Sequence, residues 1–146
     1  SIQASEAEVQ SALGTVSGRV DIAAFNQPQQ ITISGDGEAV ENVALHFEAA
    51  NKKVTRLKVS HAFHSVHMEP MLEEFRTVAK SCTFNSPVIP IVSNRTGSVA
   101  AEECCTPEYW VRQVREAVRF SQGVACSEER SHGSGHNHGQ RQETHG

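Results

Sequence analysis

The chain has 146 residues, a length that as a prior fits one domain, and 38% of them are apolar, which is enough to build a core. Seventeen acidic against thirteen basic residues give a formal charge of −4, so the basic patch of a nucleic-acid-binding protein is not expected. No apolar run approaches the roughly 20 residues of a membrane span. From the charge and from this absence we expect neither a nucleic acid nor a membrane as partner.

The first 60 residues alternate helix and strand signals. A Ser-x-x-Glu capping box at 5–8 starts one helix, and Asp36 can cap a second. Apolar runs at 20–25 and 31–34 predict the two strands of a hairpin, and the run 56–59 predicts a third strand. The order helix-strand-strand-helix-strand is that of a split βαβ unit without its first strand.

The remaining residues predict a second α/β layer followed by a tail. A helical pattern over 68–79 precedes an apolar run at 87–94, which predicts a buried parallel strand because it lies between two helices. Thr106 and Pro107 start a last helix, whose apolar stripe extends to Val118. Residues 127–146 contain no apolar side chain and are predicted to be disordered.

Three histidines, His61, His64 and His67, fall at a spacing of three where the third strand gives way to a helix. Such a junction is a rigid, exposed place for a reactive group, and histidine is the natural general base near neutral pH. Two other interpretations are open. The three residues can be ordinary junction or surface residues, or His61, His64 and Cys82 can bind zinc, although their spacing matches no known zinc motif. Adventitious metal binding is also open for the tail histidines His132, His136, His138 and His145.

Taken together, these segments resemble the acyltransferase domain of modular type I polyketide synthases. They resemble more distantly the malonyl-CoA:acyl carrier protein transacylases of fatty acid synthesis. The matching blocks are 23–26, 31–35, 59–65, 68–72, 90–97 and 107–120. Several blocks in the right order over most of the chain make the resemblance specific.

The resemblance implies an α/β (α+β) fold in two parts. Residues 1–60 are expected to form a ferredoxin-like small subdomain with its first strand missing. Residues 61–126 are expected to form a C-terminal piece of an α/β-hydrolase-like large subdomain, and 127–146 the disordered His/Gly/Ser-rich tail. The family's Gly-His-Ser-x-Gly nucleophile motif does not occur in this sequence, so we expect a fragment that is inactive alone.

The chemistry implied by the resemblance is acyl transfer from an acyl-CoA, through an acyl-serine, to the phosphopantetheine thiol of an acyl carrier protein. His64 is the implied general base, and the backbone carbonyl of Gln113 is implied to orient it. His61, Phe63 and Asn26 are implied to line the acyl pocket. The bulk of Phe63 favours malonyl over a branched extender. No cofactor is implied, and flanking synthase domains are expected, with a ketosynthase upstream.

Several alternatives stay open at this stage. Arg112, Arg115 and Arg119 repeat at helical spacing and fit either an acidic carrier protein or a solvated helix face. The chain can therefore be a non-catalytic remnant that docks a carrier protein, or a metal-binding protein. Asn26 can equally be a turn residue before Pro28, and His67 is expected to be solvated. The four cysteines follow no disulfide or zinc spacing, which predicts a reducing, cytoplasmic setting.

Overall fold

The computed structural model describes residues 1–133, which form five helices and two paired strands. The helices are α1 (Glu6–Leu13), α2 (Gly37–Ala49), α3 (Glu69–Lys80), α4 (Pro107–Arg115) and α5 (Phe120–Gly133); the strands are β1 (Val20–Gln27) and β2 (Gln30–Gly35). Short 3-10 turns cover Val66–Met68 and Glu102–Cys105. Within the described residues, no helix has the length and apolar character needed to cross a bilayer.

The sheet has the strand order of a ferredoxin-like unit. β1 and β2 form the predicted antiparallel hairpin, with Ile22 opposite Ile33. Ile2 forms antiparallel bridges to both Ile31 and Val54, so residues 1–3 lie between β2 and residues 53–55. The ferredoxin-like subdomain is therefore confirmed, but the place of its first strand is taken by residues 1–3 and is not empty as predicted.

The core of this subdomain lies between the sheet and the helices α1 and α2. Its central side chains, Ile2, Val9 and Val43, are each 0% exposed. Phe25 and Phe47 pack into the same cluster. The apolar face of α2 therefore points into the core, as its helical period requires.

The two predicted helix caps differ in outcome. The capping box of α1 is confirmed: the Glu8 N–H donates to Ser5 Oγ at 3.4 Å, and the Ser5 N–H donates to Glu8 Oε2 at 2.8 Å. Asp36 precedes α2 but makes no side-chain cap bond. Its carboxylate accepts the Arg19 N–H at 2.9 Å, because the hairpin brings the start of β1 beside it.

Two predicted strands are absent from their predicted places in the described chain. Residues 56–59 are irregular, and the pairing occurs earlier, at Val54. Residues 87–94 form no parallel strand, and of them only Ser93 is buried: Val88 is 99% exposed, and Val92 makes a single antiparallel bridge to Val99. A strand is stabilised by a neighbouring strand, and the only pairing found here within residues 1–133 is that local one.

One predicted helix ends earlier than expected, and one helix, α5, was not predicted. α4 ends at Arg115, so Val118 is not in its stripe and instead forms a parallel bridge to Ala24. α5 continues to Gly133, so residues 127–133 are helical and not disordered, although 127–132 are exposed as their polarity requires. The rest of the predicted tail, with His136, His138 and His145, lies outside the described residues. The subdomain boundary at residue 60 stays a prediction.

Candidate active site

His64 lies in the loop before α3 and is held by the segment that follows α4. Its backbone takes φ 56°, a left-handed conformation that is unfavourable for a residue with a side chain. Its ring Nδ1 lies 2.8 Å from the carbonyl oxygen of Glu116. A carbonyl oxygen only accepts, so Nδ1 must carry the proton of this bond. In the neutral ring Nε2 is then left with its lone pair, as a base needs.

The carbonyl that holds His64 is that of Glu116, not that of Gln113 as the resemblance implied. The reason is where α4 ends. Gln113 lies inside the helix, whereas the chain leaves it after Arg115 and Glu116 is extended (φ −81°, ψ 157°). Carbonyls inside a helix point along its axis, so an extended residue just beyond it is the one free to face sideways.

The segment that carries this carbonyl is fixed on both sides. The Glu116 carboxylate accepts from Arg112 Nε at 2.6 Å and from Arg95 Nη1 at 3.3 Å. Two residues on, the Val118 N–H donates to the Ala23 carbonyl at 2.8 Å, and the Val118 carbonyl accepts the Phe25 N–H at 2.8 Å. Residues 116–118 are therefore attached to the edge of β1.

The loop after His64 is equally tied down. Ser65 is 0% exposed, and its Oγ donates to the Ala62 carbonyl at 2.6 Å. The Val66 N–H donates to Asp21 Oδ2 at 2.9 Å. His67 is not simply solvated, since its Nε2 lies 2.8 Å from Asp36 Oδ1.

The Asp36 carboxylate thus joins the hairpin to this loop. The backbone N–H of Arg19 chiefly, then the Arg19 side chain and His67, hold the pKa of Asp36 below its ordinary value. Asp36 therefore stays ionised and available to both partners at neutral pH.

His64 is one of the residues that line a cavity of about 570 Å³. The cavity lies between the sheet, α2 and residues 54–64. Lining residues include His61, Phe63, His64, Ala24, Thr32 and Val118. The structure thus gathers three of the predicted site residues around one space whose walls are largely apolar side chains.

Asn26 does not line this cavity. Its Nδ2 donates to Thr32 Oγ1 at 3.0 Å, so it acts on the cavity only through Thr32. Because Asn26 is the donor in that bond, the Thr32 hydroxyl can donate its own proton to another acceptor. Thr32 and Glu116 were not predicted; neither residue type is distinctive, and only their position in the fold marks them.

Neither the zinc site nor the arginine docking face is supported by the described residues. Within 1–133, no three His, Cys, Asp or Glu side chains are arranged to hold a metal ion. The three arginines of the helical repeat already have partners: Arg112 pairs with Glu116, Arg115 with Asp21, and Arg119 lies 4.6 Å from the centre of the Phe25 ring. They do not form an unpaired basic face.

Comparisons with known proteins point to one family. The acyl transferase domain family model matches residues 3–135. The polyketide synthase GfsA of Streptomyces halstedii is 48% identical over 126 residues, which are 86% of this chain and 2% of the synthase. The acyltransferase domain from the second module of the salinomycin polyketide synthase has a TM-score of 0.84 at 45% identity, over 88% of this chain and 30% of that chain.

A further structural relative is the complex PlMCAT:AntF (holo), a type II polyketide synthase acyl-carrier protein with its malonyl-transacylase. It has a TM-score of 0.80 at 27% identity, over 89% of this chain and 43% of that chain. This chain therefore spans less than half the length of each of these relatives.

The fold of this chain is that of a part of the solved acyltransferase domain that it matches. The chain belongs to the acyl transferase domain family, and within it to the type found in polyketide synthases.

Proposed function

We propose that this chain supplies the general base and one wall of the acyl pocket of a polyketide synthase acyltransferase. The enzyme would transfer an extender acyl group, malonyl preferentially, from acyl-CoA to the phosphopantetheine thiol of an acyl carrier protein. The observation that carries this proposal is the 2.8 Å contact between His64 Nδ1 and the Glu116 carbonyl. It leaves Nε2 as a base aimed from a fixed ring.

The nucleophilic serine of the proposed reaction lies outside these 146 residues, because the sequence contains no Gly-His-Ser-x-Gly motif. His64 Nε2 takes the serine proton as the serine oxygen attacks the thioester carbonyl. Collapse of the tetrahedral intermediate expels the CoA thiolate, which takes the proton from His64. The carrier thiol then attacks the acyl-serine with its proton going to Nε2, and the serine recovers a proton as it leaves.

The Glu116 carbonyl does the orienting work that an aspartate does in a Ser-His-Asp triad. It fixes the ring plane and the tautomer, and it stabilises the imidazolium through its oxygen dipole. Because it carries no full charge, that stabilisation is smaller than an aspartate provides.

The preference for malonyl rests on Phe63. The Phe63 ring lines the cavity with its centre 5.7 Å from that of His61. A branched extender needs room for one more methyl group beside the α-carbon. Such a difference is worth about 1–3 kcal/mol, so the two side chains bias the choice of extender without fixing it.

Carrier protein, flanking synthase domains and setting are parts of the same proposal. The carrier protein is supported by the complex of a related malonyl-transacylase with its acyl-carrier protein. Flanking domains are supported by the synthase that contains a 48% identical segment. The reaction needs no cofactor besides the substrates malonyl-CoA and the phosphopantetheine arm. The free thiols of all four cysteines support a cytoplasmic setting.

The test is malonyl loading by the intact protein that contains this chain, followed by intact-mass detection of the acyl-enzyme and the acyl-carrier. His64→Ala should abolish loading. His64→Asn is the matched variant, because Asn tolerates the left-handed backbone that Ala does not, and it should also be inactive while it keeps the native stability. Unchanged loading in the His64→Asn protein would refute the assignment. The 146-residue chain alone should form no acyl-enzyme.

A further inference from the structure

We propose that Asp21 and Arg115 form a positioning pair that sets the distance between the His64 ring and the Glu116 carbonyl. This inference rests on the proposed role of His64 as the base. Neither side chain is hydrogen-bonded to the imidazole, whose Nδ1 contacts the Glu116 carbonyl. Together they join the two chain segments whose separation decides whether the imidazole is held.

The first half of the link is at Asp21. This residue lies in β1, opposite Ser34 in the hairpin register, so its backbone is fixed by the sheet. Its Oδ2 accepts the Val66 N–H at 2.9 Å, two residues after His64. The carboxylate therefore holds the loop that leaves the left-handed His64 backbone.

The second half of the link is at Arg115. Its Nη2 lies 3.2 Å from the same Oδ2 of Asp21. Arg115 is the last residue of α4 and directly precedes Glu116, so holding the guanidinium also holds the start of the carbonyl segment. Its Nε also donates to Glu69 Oε1 at 3.1 Å, at the first residue of α3.

One oxygen atom of Asp21 thus contacts both the loop of the base and the helix end before the carbonyl. The side chains are 35% exposed at Asp21 and 28% at Arg115, so water screens the pair only partly. His64 and Glu116 are 52 residues apart, and their bond tolerates little displacement before it weakens. An ion pair and a hydrogen bond that link the two segments keep the distance from His64 Nδ1 to the Glu116 carbonyl short.

The left-handed backbone of His64 adds a reason for this link. That conformation is unfavourable for a residue with a Cβ, so the loop would relax if it were released. The Val66 N–H to Asp21 bond lies within two residues of the strain. Loss of the carboxylate is therefore expected to show at the imidazole and not only in stability.

The test reads the tautomer of His64 directly, by long-range ¹H–¹⁵N NMR of the ring nitrogens in the 146-residue chain at about pH 8, where an imidazole is ordinarily neutral. The wild-type ring should be mainly in the Nδ1–H form. Asp21→Asn keeps an oxygen for Val66 but loses the ion pair, and Asp21→Ala loses both. The ratio of Nδ1–H to Nε2–H should fall in that order, by up to about tenfold in the alanine variant.

Matched variants separate positioning from general damage. Glu73→Gln removes a carboxylate that pairs with an arginine, Arg76, within α3, and it should leave the His64 ratio unchanged. Arg115→Lys keeps the charge and should retain more of the Nδ1–H form than Arg115→Met. If Asp21→Ala fails to fold, the comparison of Arg115→Lys with Arg115→Met decides alone, because these substitutions change a partly exposed side chain.

A wild-type ratio retained in both Asp21→Asn and Arg115→Met would overturn the proposal. Because this readout does not depend on turnover, it stands apart from the proposed function. Activity that persists in His64→Asn with an altered tautomer in Asp21→Asn would refute the catalytic role and leave the positioning pair intact.

Discussion

The Val118 N–H donates to the Ala23 carbonyl at 2.8 Å, and this bond attaches the segment that orients His64 to the edge of the small sheet. The Glu116 carbonyl that holds His64 lies two residues before Val118. Ala23 lies in β1, and Ala24, the next residue of that strand, lines the cavity. The base, its orienting carbonyl and the cavity wall therefore share one hydrogen-bonded frame. A distortion of the edge of β1 is expected to reach all three.

The selectivity of the cavity should depend on Phe63. We expect Phe63→Ser to raise the ratio of kcat/KM for methylmalonyl-CoA to that for malonyl-CoA by up to about tenfold in the intact acyltransferase, because the removed ring vacates space for a methyl group. Phe120→Ser is the matched control: both rings are 53% exposed, but Phe120 does not line the cavity. Equal shifts in the two variants would show that Phe63 has no special place in extender choice.

Gly97 should tolerate no side chain. Its φ is +71°, and a Cβ there would overlap the Cβ of Gln122 in α5. We expect Gly97→Ala to lower the free energy of unfolding by at least about 2 kcal/mol, from left-handed strain plus overlap. Chemical denaturation of the 146-residue chain measures this.

Gly37→Ala provides the control for that experiment. Gly37 begins α2, and a Cβ there meets nothing within 4 Å. Alanine in a helix is favoured over glycine by up to about 1 kcal/mol, so this variant should be at least as stable as the wild type. A destabilised Gly37→Ala together with a neutral Gly97→Ala would contradict the backbone assignment at both positions.

Ser93 should be stabilising through its buried hydroxyl. Ser93 is 1% exposed, and its Oγ accepts the Tyr109 O–H at 2.7 Å and the Arg95 N–H at 3.2 Å. Ser93→Ala leaves a buried phenol without its acceptor, which should cost about 1–3 kcal/mol.

A double-mutant cycle by urea denaturation isolates that bond. Tyr109→Phe removes the same bond from the other side, so the two losses should not add: Ser93→Ala in the Tyr109→Phe background should cost less than in the wild type. Strictly additive losses would mean that the two hydroxyls do not interact.

The capping box of α1 should make stability depend on acid. The Ser5 N–H chiefly, then Lys52 and the Ser5 hydroxyl, lower the pKa of Glu8 from 4.5 to about 2. A pKa lowered in the folded state means that the carboxylate stabilises the fold above pH 4.5 and that this contribution is lost as the pH falls towards 2. The difference in unfolding free energy between wild type and Glu8→Gln should therefore shrink over that window.

Glu6→Gln controls for the loss of an acidic residue near the start of a helix. Glu6 shares the first turn of α1 with Glu8 but is not part of the capping box. A wild-type to Glu8→Gln difference that is the same at pH 5 and at about pH 2 would contradict the acid dependence.

The sequence by itself determined the elements whose causes are local. Three such features are found in the structure: the α1 capping box, the hairpin of β1 and β2, and the start of α4 at Pro107. Each of them depends on a few neighbouring residues. The blocks around His64 and 107–120 also sufficed to indicate the family, because motif order is a property of the sequence alone.

Only the tertiary structure decided which groups meet. That Glu116 and not Gln113 holds His64 depends on where α4 ends, and helix ends respond to packing as much as to propensity. Residues 1–3 join the sheet because they pair with residues about 30 and 50 positions away, at Ile31 and Val54. Asp21 meets Arg115 across 94 positions because β1 and the end of α4 converge. Contacts of this kind have no local signature, since chain folding sets them and residue spacing does not.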